Sequence, residues 1–303
     1  MLKDTLLYLA QNQRMRDFVV QNPATRGVSR RFVAGETLED AVQAVRILNQ
    51  KGNPVALDFL GENVFQESEA REATQNYTAA LNLIKQTGID ANISIKLTAL
   101  GLDISQDLCE ENLRSILDLA REYGIFVCID MEASNYTEQT VAMALKAREQ
   151  YEQVGTVIQS YLYRSKADIE KLIEHNVRVR IVKGAYKEPP SVAYQNKKDV
   201  DESYIEIMKM LLSRGNFSAI ASHDENIING ARTYVRDHGI SPASFEFQML
   251  YGIRRDLQER LVREGYNVRV YVPYGSQWYP YLMRRMAERP ANLIFVVSNS
   301  MRG

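Results

Sequence analysis

The sequence predicts an α/β fold, the TIM-type (β/α)8 barrel, with a helical N-terminal extension. Short β-rich runs alternate with helical patterns from about residue 53 to the end of the chain, which is typical of a parallel sheet. These runs form eight strand–helix units, and eight units favour closure into a barrel. The alternative is an open doubly wound sheet. The glycines Gly27, Gly35, Gly52 and Gly61 are too scattered for the dinucleotide fingerprint that such sheets often carry.

Each predicted strand is a short run rich in β-branched and apolar residues. These runs are residues 55–60, 93–98, 125–131, 156–162, 177–182, 218–222, 244–250 and 268–272. Each predicted helix has apolar residues at helical spacing. These helices cover residues 64–87, 105–123, 136–152, 166–175, 199–214, 225–238, 254–264 and 277–288.

The N-terminal residues predict helices that precede the barrel. Four apolar side chains share one helical face: Leu2, Leu6, Leu9 and Ala10. This stripe is expected to pack on the main domain, and a foot on a membrane surface is the alternative. Thr37 precedes a second helical pattern, with a Thr-x-x-Asp start that resembles a capping box. Because no linker rich in proline or glycine divides the chain, we expect a single domain over 1–303, with N-terminal helices in 1–52 and the barrel in 53–303.

Composition excludes several classes of protein. Of the 303 residues, 45% are hydrophobic and 25% are charged, which is ordinary for a globular protein and not for a disordered one. Lys and Arg total 37 against 38 for Asp and Glu, so a nucleic acid is not expected as a partner. Two cysteines, Cys109 and Cys128, are interpreted as reduced thiols. Three histidines without HxxxH or CxxC spacing predict no metal site.

Neither a membrane span nor a signal peptide is predicted. The longest strongly apolar run, residues 293–297, is far shorter than the roughly 20 residues that cross a bilayer. Residues 1–10 lack the long apolar core and cleavage pattern of a signal peptide. We therefore expect a cytoplasmic protein, with peripheral attachment to the inner face of the cell membrane left open.

Polar side chains interrupt strands whose interiors should be apolar. They are Asp58, Glu62, Lys96, Asp130, Gln159, Arg178, Arg180, Ser222, His223, Asp224, Glu246, Gln248, Arg269 and Tyr271. Singly, each has a structural explanation, such as a pairing of Lys96 with Asp58 or Asp130. Buried ion pairs are a costly route to stability, however, and catalytic groups of such barrels lie at the carboxyl ends of the strands. Together the polar residues indicate a site for a ligand with both charge and hydrogen-bonding groups.

Two further patterns indicate anion recognition. Tyr281 lies three and four residues before Arg284 and Arg285, so the three side chains fall within one helical turn. Both arginines could grip a carboxylate or phosphate, although a solvated helix face is the structural alternative. Gly184, directly after a predicted strand, would let a phosphate or flavin ring approach the backbone N–H groups.

These residues make the chain resemble the proline dehydrogenase family, in its monofunctional bacterial type. The matching segments are 57–62, 94–97, 129–132, 159–162, 180–186, 222–224, 245–252, 270–275 and 281–285. The resemblance implies a distorted (β/α)8 barrel that holds FAD non-covalently. It also implies oxidation of L-proline to 1-pyrroline-5-carboxylate, the first step of proline catabolism to glutamate, with electrons passed to a membrane quinone. Because no aldehyde-dehydrogenase segment is present, a separate pyrroline-5-carboxylate (glutamate semialdehyde) dehydrogenase is expected downstream.

The resemblance also implies roles for residues around the substrate. The expected substrate-binding residues are Lys96, Leu250, Tyr271, Tyr281, Arg284 and Arg285. Arg284 and Arg285 would clamp the proline carboxylate, with Lys96 joining them. Tyr271 and Tyr281 would wall the ring pocket, and Leu250 would supply an apolar contact. Glu62 would pair with Arg284 as a gate over the bound substrate.

Two catalytic residues and a cofactor site follow from the same resemblance. Asp130 would orient Lys96 and Tyr271, and Arg180 would lie against the flavin near its reactive nitrogen and stabilise the reduced form. The expected FAD-binding residues are Met131, Gln159, Arg180, Val182, Lys183, Gly184, Ala185, Ser222 and His223. Ser222 departs from the threonine of many relatives but keeps the hydroxyl.

Other activities remain open at this point. A barrel lysine beside an aspartate, as in Lys96 with Asp130, is also the pair that a Schiff-base lyase requires. A non-catalytic barrel could bind amino acids or anions through Arg284 and Arg285. A hydroxyproline dehydrogenase is the closest competitor, although Tyr271 and Tyr281 would crowd the position of an extra hydroxyl.

Overall fold

Eight parallel strands close into a barrel in the described part of the chain, which confirms the predicted fold class. The structure is a computed structural model that describes residues 30–288, with only the backbone described for 284–288. Each strand pairs with the next strand in sequence order, and the eighth pairs with the first. The predicted stripe of Leu2, Leu6, Leu9 and Ala10 lies outside the described residues, so the N-terminal helices stay a prediction.

The strands are β1 (Val55–Phe59), β2 (Ala91–Ile95), β3 (Val127–Ile129), β4 (Val154–Gln159), β5 (Arg178–Val182), β6 (Ala219–Ala221), β7 (Glu246–Leu250) and β8 (Val268–Tyr274). The helices are α1 (Leu38–Gln50), α2 (Glu67–Thr87), α3 (Gln106–Tyr123), α4 (Thr137–Arg148), α5 (Ser165–Glu174), α6 (Lys197–Arg214), α7 (Glu225–Asp237), α8 (Arg255–Arg263) and α9 (Trp278–Glu288). Two 3-10 turns cover Ser134–Tyr136 and Pro242–Ser244.

The predicted elements are present, with shifts of a few residues at their ends. Thr37 caps α1 as expected, because its Oγ1 accepts a hydrogen bond of 3.2 Å from the Asp40 N–H. Three strands end two or three residues earlier than predicted: β2 at Ile95, β3 at Ile129 and β4 at Gln159. The residues that follow them leave the strand ladder and turn into the loops of the site. Within residues 30–288, no helix is long and apolar enough to cross a membrane.

The apolar core lies between the barrel and its ring of helices. Tyr77 and Leu81 of α2 are buried against β1 and β2 in one half of the core. Tyr204 and Met208 of α6 and Phe247 of β7 are buried in the other half. Strands covered by helices must be apolar on that face, which explains the near-continuous apolar runs in the sequence.

One expectation about the polar residues is wrong. Arg178, Glu246 and Arg269 were expected at the same mouth as the other polar side chains, but they lie near the amino ends of β5, β7 and β8. There Arg269 Nε contacts both Glu246 carboxylate oxygens at 3.1 and 3.0 Å, and its Nη1 donates to the Val55 carbonyl at 3.0 Å. Two residues along a strand span about 6.6 Å, so Arg178 lies well below Arg180 although both are on the same face. These side chains close the bottom of the barrel.

Candidate active site

The carboxyl ends of the strands open into a cavity of about 1170 Å³. Every predicted site residue whose side chain is described lines this cavity. These residues are Glu62, Lys96, Asp130, Met131, Gln159, Arg180, Val182, Lys183, Gly184, Ala185, Ser222, His223, Leu250, Tyr271 and Tyr281. The two remaining predicted residues, Arg284 and Arg285, have side chains outside the described part of the chain. The carboxylate clamp and the Glu62–Arg284 gate therefore stay predictions.

Four buried charged side chains cross-link the floor of the cavity. Lys96 Nζ lies 2.5 Å from Asp58 Oδ1 and 3.5 Å from Asp130 Oδ2. Arg180 Nη1 lies 2.8 Å from Asp130 Oδ1, and Arg180 Nη2 donates to Ser94 Oγ at 3.0 Å. None of the four charged residues is more than 8% exposed. Because two cations face two carboxylates, this cluster is electrically balanced.

Tyr271 on β8 completes the cluster. Its hydroxyl donates to Asp130 Oδ2 at 2.7 Å, and the Arg180 guanidinium lies 5.2 Å from the centre of its ring. Asp130 therefore contacts Lys96, Arg180 and Tyr271, the arrangement expected of a group that orients its neighbours. The shorter contact of Lys96, however, goes to Asp58.

Burial and neighbouring charges fix the protonation states in this cluster. Burial alone would lower the pKa of Lys96, but the neighbouring carboxylates of Asp58 and Asp130 outweigh it and hold that pKa well above its ordinary value. Burial raises the pKa of Asp58 and, strongly, that of Tyr271. Lys96 and Tyr271 are therefore hydrogen-bond donors at neutral pH. A Schiff-base lyase needs a deprotonated lysine, so these protonation states argue against that alternative.

The loop after β5 forms a cradle on one wall of the cavity. Gly184 has a φ of +121°, and a Cβ built on it would lie 2.4 Å from the Tyr161 ring. Only glycine fits where the backbone packs so closely on an aromatic ring. Next to it, Lys183 Nζ bridges Asp201 at 2.6 Å and Asp224 at 2.9 Å. These contacts hold residues 183–185 in place in the cavity wall.

Two polar groups at the mouth hydrogen-bond to neighbouring strand ends. His223 Nε2 accepts a hydrogen bond of 2.9 Å from the Leu250 N–H, which fixes the orientation of the ring. Gln159 Nε2 donates to the Glu132 carbonyl at 2.9 Å. These contacts join the ends of β6 and β7, and of β3 and β4. They hold the rim of the cavity in one arrangement.

Buried polar atoms without partners remain in the cavity wall. Among the described residues, Arg180 Nε and Gln248 Oε1 are buried and have no hydrogen-bond partner. An unpaired buried polar group costs free energy, and a bound ligand can supply the missing bond. Within the same part of the chain, no group of His, Cys, Asp and Glu is arranged to hold a metal ion.

Sequence reasoning missed three features of the site. Asp58 is among the polar residues that indicate the site, but the resemblance gives it no role there, although segment 57–62 contains it. Tyr161 lay in the 159–162 segment without a role, and only the packing on Gly184 reveals one. Glu188 accepts hydrogen bonds from the Ser134 N–H, at 2.7 Å, and from its hydroxyl, so the loop after β5 is tied to the loop after β3. Such a long-range contact has no local sequence signal.

Comparisons with known proteins identify the family of the chain. The sequence matches the proline dehydrogenase family profile over residues 41–298. It is 42% identical over 302 residues to Proline dehydrogenase 1 of Bacillus subtilis (strain 168), with 100% of both chains covered. It is 44% identical over 281 residues to the proline dehydrogenase of Deinococcus radiodurans, with 91% of each chain covered.

A solved structure supports the fold. The crystal structure of proline utilization A (PutA) from Bdellovibrio bacteriovorus, inactivated by N-propargylglycine, matches with a TM-score of 0.82 at 27% identity. The match covers 87% of this chain and 33% of that longer chain. The profile match, the full-length identity and the shared barrel lead to one conclusion: the chain belongs to the proline dehydrogenase family of enzymes.

Proposed function

We propose that the chain uses bound FAD to oxidise L-proline to 1-pyrroline-5-carboxylate and passes the electrons to a quinone. The observation that carries this proposal is the buried cluster of Asp58, Lys96, Asp130, Arg180 and Tyr271 on the floor of the cavity. This electrically balanced cluster presents fixed hydrogen-bond donors to a small polar substrate, in a site large enough for a flavin beside it.

The residues present fit FAD. Gly184 has no side chain, and any Cβ there would meet the Tyr161 ring, so its backbone can be approached by a flat or anionic group. Arg180 Nε has no hydrogen-bond acceptor, and a bound flavin could provide one. The residues that would hold FAD are Met131, Gln159, Arg180, Val182, Lys183, Gly184, Ala185, Ser222 and His223. When bound, FAD would accept the two electrons of the C–H bond that breaks next to the ring nitrogen of the substrate.

The side chains around the substrate bind and orient it. Arg284 and Arg285 would grip the carboxylate, with Lys96 adding a third cation. Tyr271, Tyr281 and Leu250 would contact the apolar face of the ring. L-Proline loses a hydride from the ring carbon beside nitrogen that does not carry the carboxylate, and a proton from nitrogen, which leaves the C=N bond of the product.

Partners and location follow from the proposed chemistry. Quinones reside in the membrane, so we place the enzyme in the cytoplasm with peripheral attachment to the inner face of the membrane. The bifunctional protein PutA of Escherichia coli (strain K12) is 30% identical to this chain over 318 residues. That alignment covers 90% of this chain but only 24% of the longer protein. We expect the product to pass to a separate pyrroline-5-carboxylate (glutamate semialdehyde) dehydrogenase.

A steady-state assay tests the acceptor and the product together. Purified protein is given L-proline and a water-soluble ubiquinone analogue, and the product is trapped with o-aminobenzaldehyde. We expect one product molecule for each quinone reduced, and lower kcat/KM with trans-4-hydroxy-L-proline because Tyr271 and Tyr281 crowd the extra hydroxyl. Product formation with oxygen but not with quinone would contradict the proposed acceptor.

A further inference from the structure

We propose that Thr98 and Glu132 are positioning residues that hold the turn at Glu62 and Asn63 over the cavity mouth, and through that turn set the affinity for substrate. The inference deepens the proposed function and rests on it, since the substrate concerned is L-proline. Neither residue lines the cavity, and neither was assigned a role from the sequence.

A short chain of hydrogen bonds connects the turn to the buried carboxylate. The Asn63 N–H donates to Thr98 Oγ1 at 3.1 Å, and that hydroxyl donates to Glu132 Oε2 at 2.5 Å. The Thr98 N–H donates to the second oxygen, Glu132 Oε1, at 3.1 Å. Every donor in this chain points in one direction, toward the carboxylate. These hydrogen bonds join the loop after β1 to the segments that follow β2 and β3.

The turn needs such an anchor. Asn63 has a φ of +55°, in the left-handed region that side chains other than glycine adopt at a cost. The turn contributes three consecutive residues, Glu62, Asn63 and Val64, to the cavity wall. The Val64 N–H contacts the Thr98 carbonyl at 3.4 Å, so both fixed points of the turn are on Thr98. A shift of this turn would move Glu62 relative to bound substrate.

A carboxylate is a costly way to hold a turn for stability alone. Glu132 is only 3% exposed, and burial of a carboxylate is tolerated when hydrogen bonds satisfy it. Both of its side-chain oxygens are used on Thr98, while its carbonyl accepts from Gln159 Nε2 on the other side. The same residue therefore fixes the substrate gate and the expected cofactor wall, which is a reason for its position beyond packing.

The charge of Glu132 responds to pH near neutrality. The groups that face it are Glu62 of the turn, Lys96 after β2, Cys109 of α3 and Tyr136 beside α4. Burial raises the pKa of Glu132 to about 7, against the opposing effect of the Thr98 hydrogen bonds. Above that pH the carboxylate accepts both bonds. Below that pH, the protonated carboxyl group of Glu132 donates a hydrogen bond to Thr98 Oγ1 and competes with the Asn63 N–H for that oxygen.

Variants at both positions test the proposal. Thr98→Val removes the hydroxyl, and Glu132→Gln removes the negative charge. Each variant should raise KM for L-proline about tenfold, because a charge-assisted hydrogen bond is lost, and should change kcat less than about twofold. The dissociation constant of tetrahydro-2-furoic acid, which has oxygen in place of the ring nitrogen, should rise in parallel. Thr98→Ser keeps the hydroxyl and should restore both values. In wild type, KM should rise as pH falls from 8 to 6, and Glu132→Gln should abolish that dependence.

A matched control separates positioning from a general loss of buried hydrogen bonds. Thr156 on β4 is equally buried and donates to the Ile129 carbonyl at 2.9 Å, so Thr156→Val removes a similar bond away from the turn. That control should leave KM unchanged. The proposal would be overturned if Thr98→Val had the same KM as the wild type. If the variants fail to fold, a KM of the wild-type protein that does not change from pH 6 to 8 would overturn it instead. A wild type that does not oxidise L-proline would instead contradict the proposed function, and binding of the analogue would still decide the positioning role.

Discussion

Asp130 contacts three side chains from three different parts of the barrel: Lys96 just after β2, Arg180 on β5 and Tyr271 on β8. Replacing it with asparagine keeps the shape but removes the negative charge that holds Arg180 and Lys96 in place. We expect Asp130→Asn to lower kcat/KM for L-proline about 100-fold, because small misplacements of catalytic groups can cost that much. Steady-state kinetics at constant flavin content would measure the loss.

A double-mutant cycle tests whether Asp130 acts through Tyr271. The two side chains share a bond of 2.7 Å, so their effects should not add. Tyr271→Phe should cost less in the Asp130→Asn background than in wild type. Full additivity of the two losses in kcat/KM would show that Asp130 does not act by orienting Tyr271.

Glu132 makes a second prediction at the scale of a residue, on stability. Between pH 4.5 and 7 the folded state keeps its proton on Glu132 while the unfolded state loses it, so folding becomes less favourable as pH rises. A pKa raised from 4.5 to about 7 amounts to about 3 kcal/mol once the pH exceeds 7. Relative to Glu132→Gln, wild type should therefore lose about this much unfolding free energy from pH 5 to 8 in urea titrations. A difference that is constant over this range would contradict the raised pKa.

At the scale of elements, the proposed cofactor cradle in the loop after β5 can be tested at Gly184. Gly184→Ala would place a methyl group 2.4 Å from the Tyr161 ring, at a φ of +121° that alanine rarely adopts. The loop must move, so we expect flavin affinity to fall more than about tenfold. Absorbance of the purified variant and titration with FAD would measure this.

Gly88, at the end of α2, provides the matched control. It too has a positive φ, +65°, but a Cβ there would meet nothing within 4 Å. Gly88→Ala should cost about 1 kcal/mol of stability and leave flavin affinity unchanged. If both variants bind FAD as wild type does, the loop after β5 is not the cofactor cradle.

At the scale of the whole molecule, the two ends of the barrel have different tasks. Charged residues at the carboxyl ends form the site, whereas Arg178, Glu246 and Arg269 close the amino ends. Arg269→Met would leave Glu246 buried without its cation, which should destabilise the fold by roughly 3 kcal/mol. KM for L-proline should change less than about twofold, because the lost pair lies at the opposite end from the site.

An exposed pair shows how much of that cost comes from burial. Arg214 and Glu170 form an ion pair with side-chain exposures of 52% and 41%. Arg214→Met should cost far less stability than Arg269→Met, since surface pairs contribute little. Equal losses in the two variants, measured by urea denaturation, would contradict a structural role for the buried pair at the bottom.

The sequence predicted most of the fold because a parallel barrel repeats one simple pattern. Each strand is apolar on the helix-facing side, so all eight strands and the helices between them could be located by periodicity. The carboxyl ends of the strands were less predictable, because Lys96 and Asp130 lie just beyond β2 and β3 in segments that keep the sequence pattern of a strand. Periodicity also could not assign depth: Arg178 and Arg180 alternate identically, but only Arg180 reaches the cavity. The ties from Asn63 to Thr98 and from Glu188 to Ser134 depend on loop packing that no local pattern encodes.

The most direct test of the central claim is an absorbance spectrum of the purified protein, followed by anaerobic titration with L-proline. We expect flavin bands that bleach as L-proline is added, one equivalent for each bound FAD, and that do not bleach with D-proline. A protein that stays colourless after reconstitution with FAD, or a bound flavin that L-proline does not reduce, would contradict the proposed flavin-dependent oxidation.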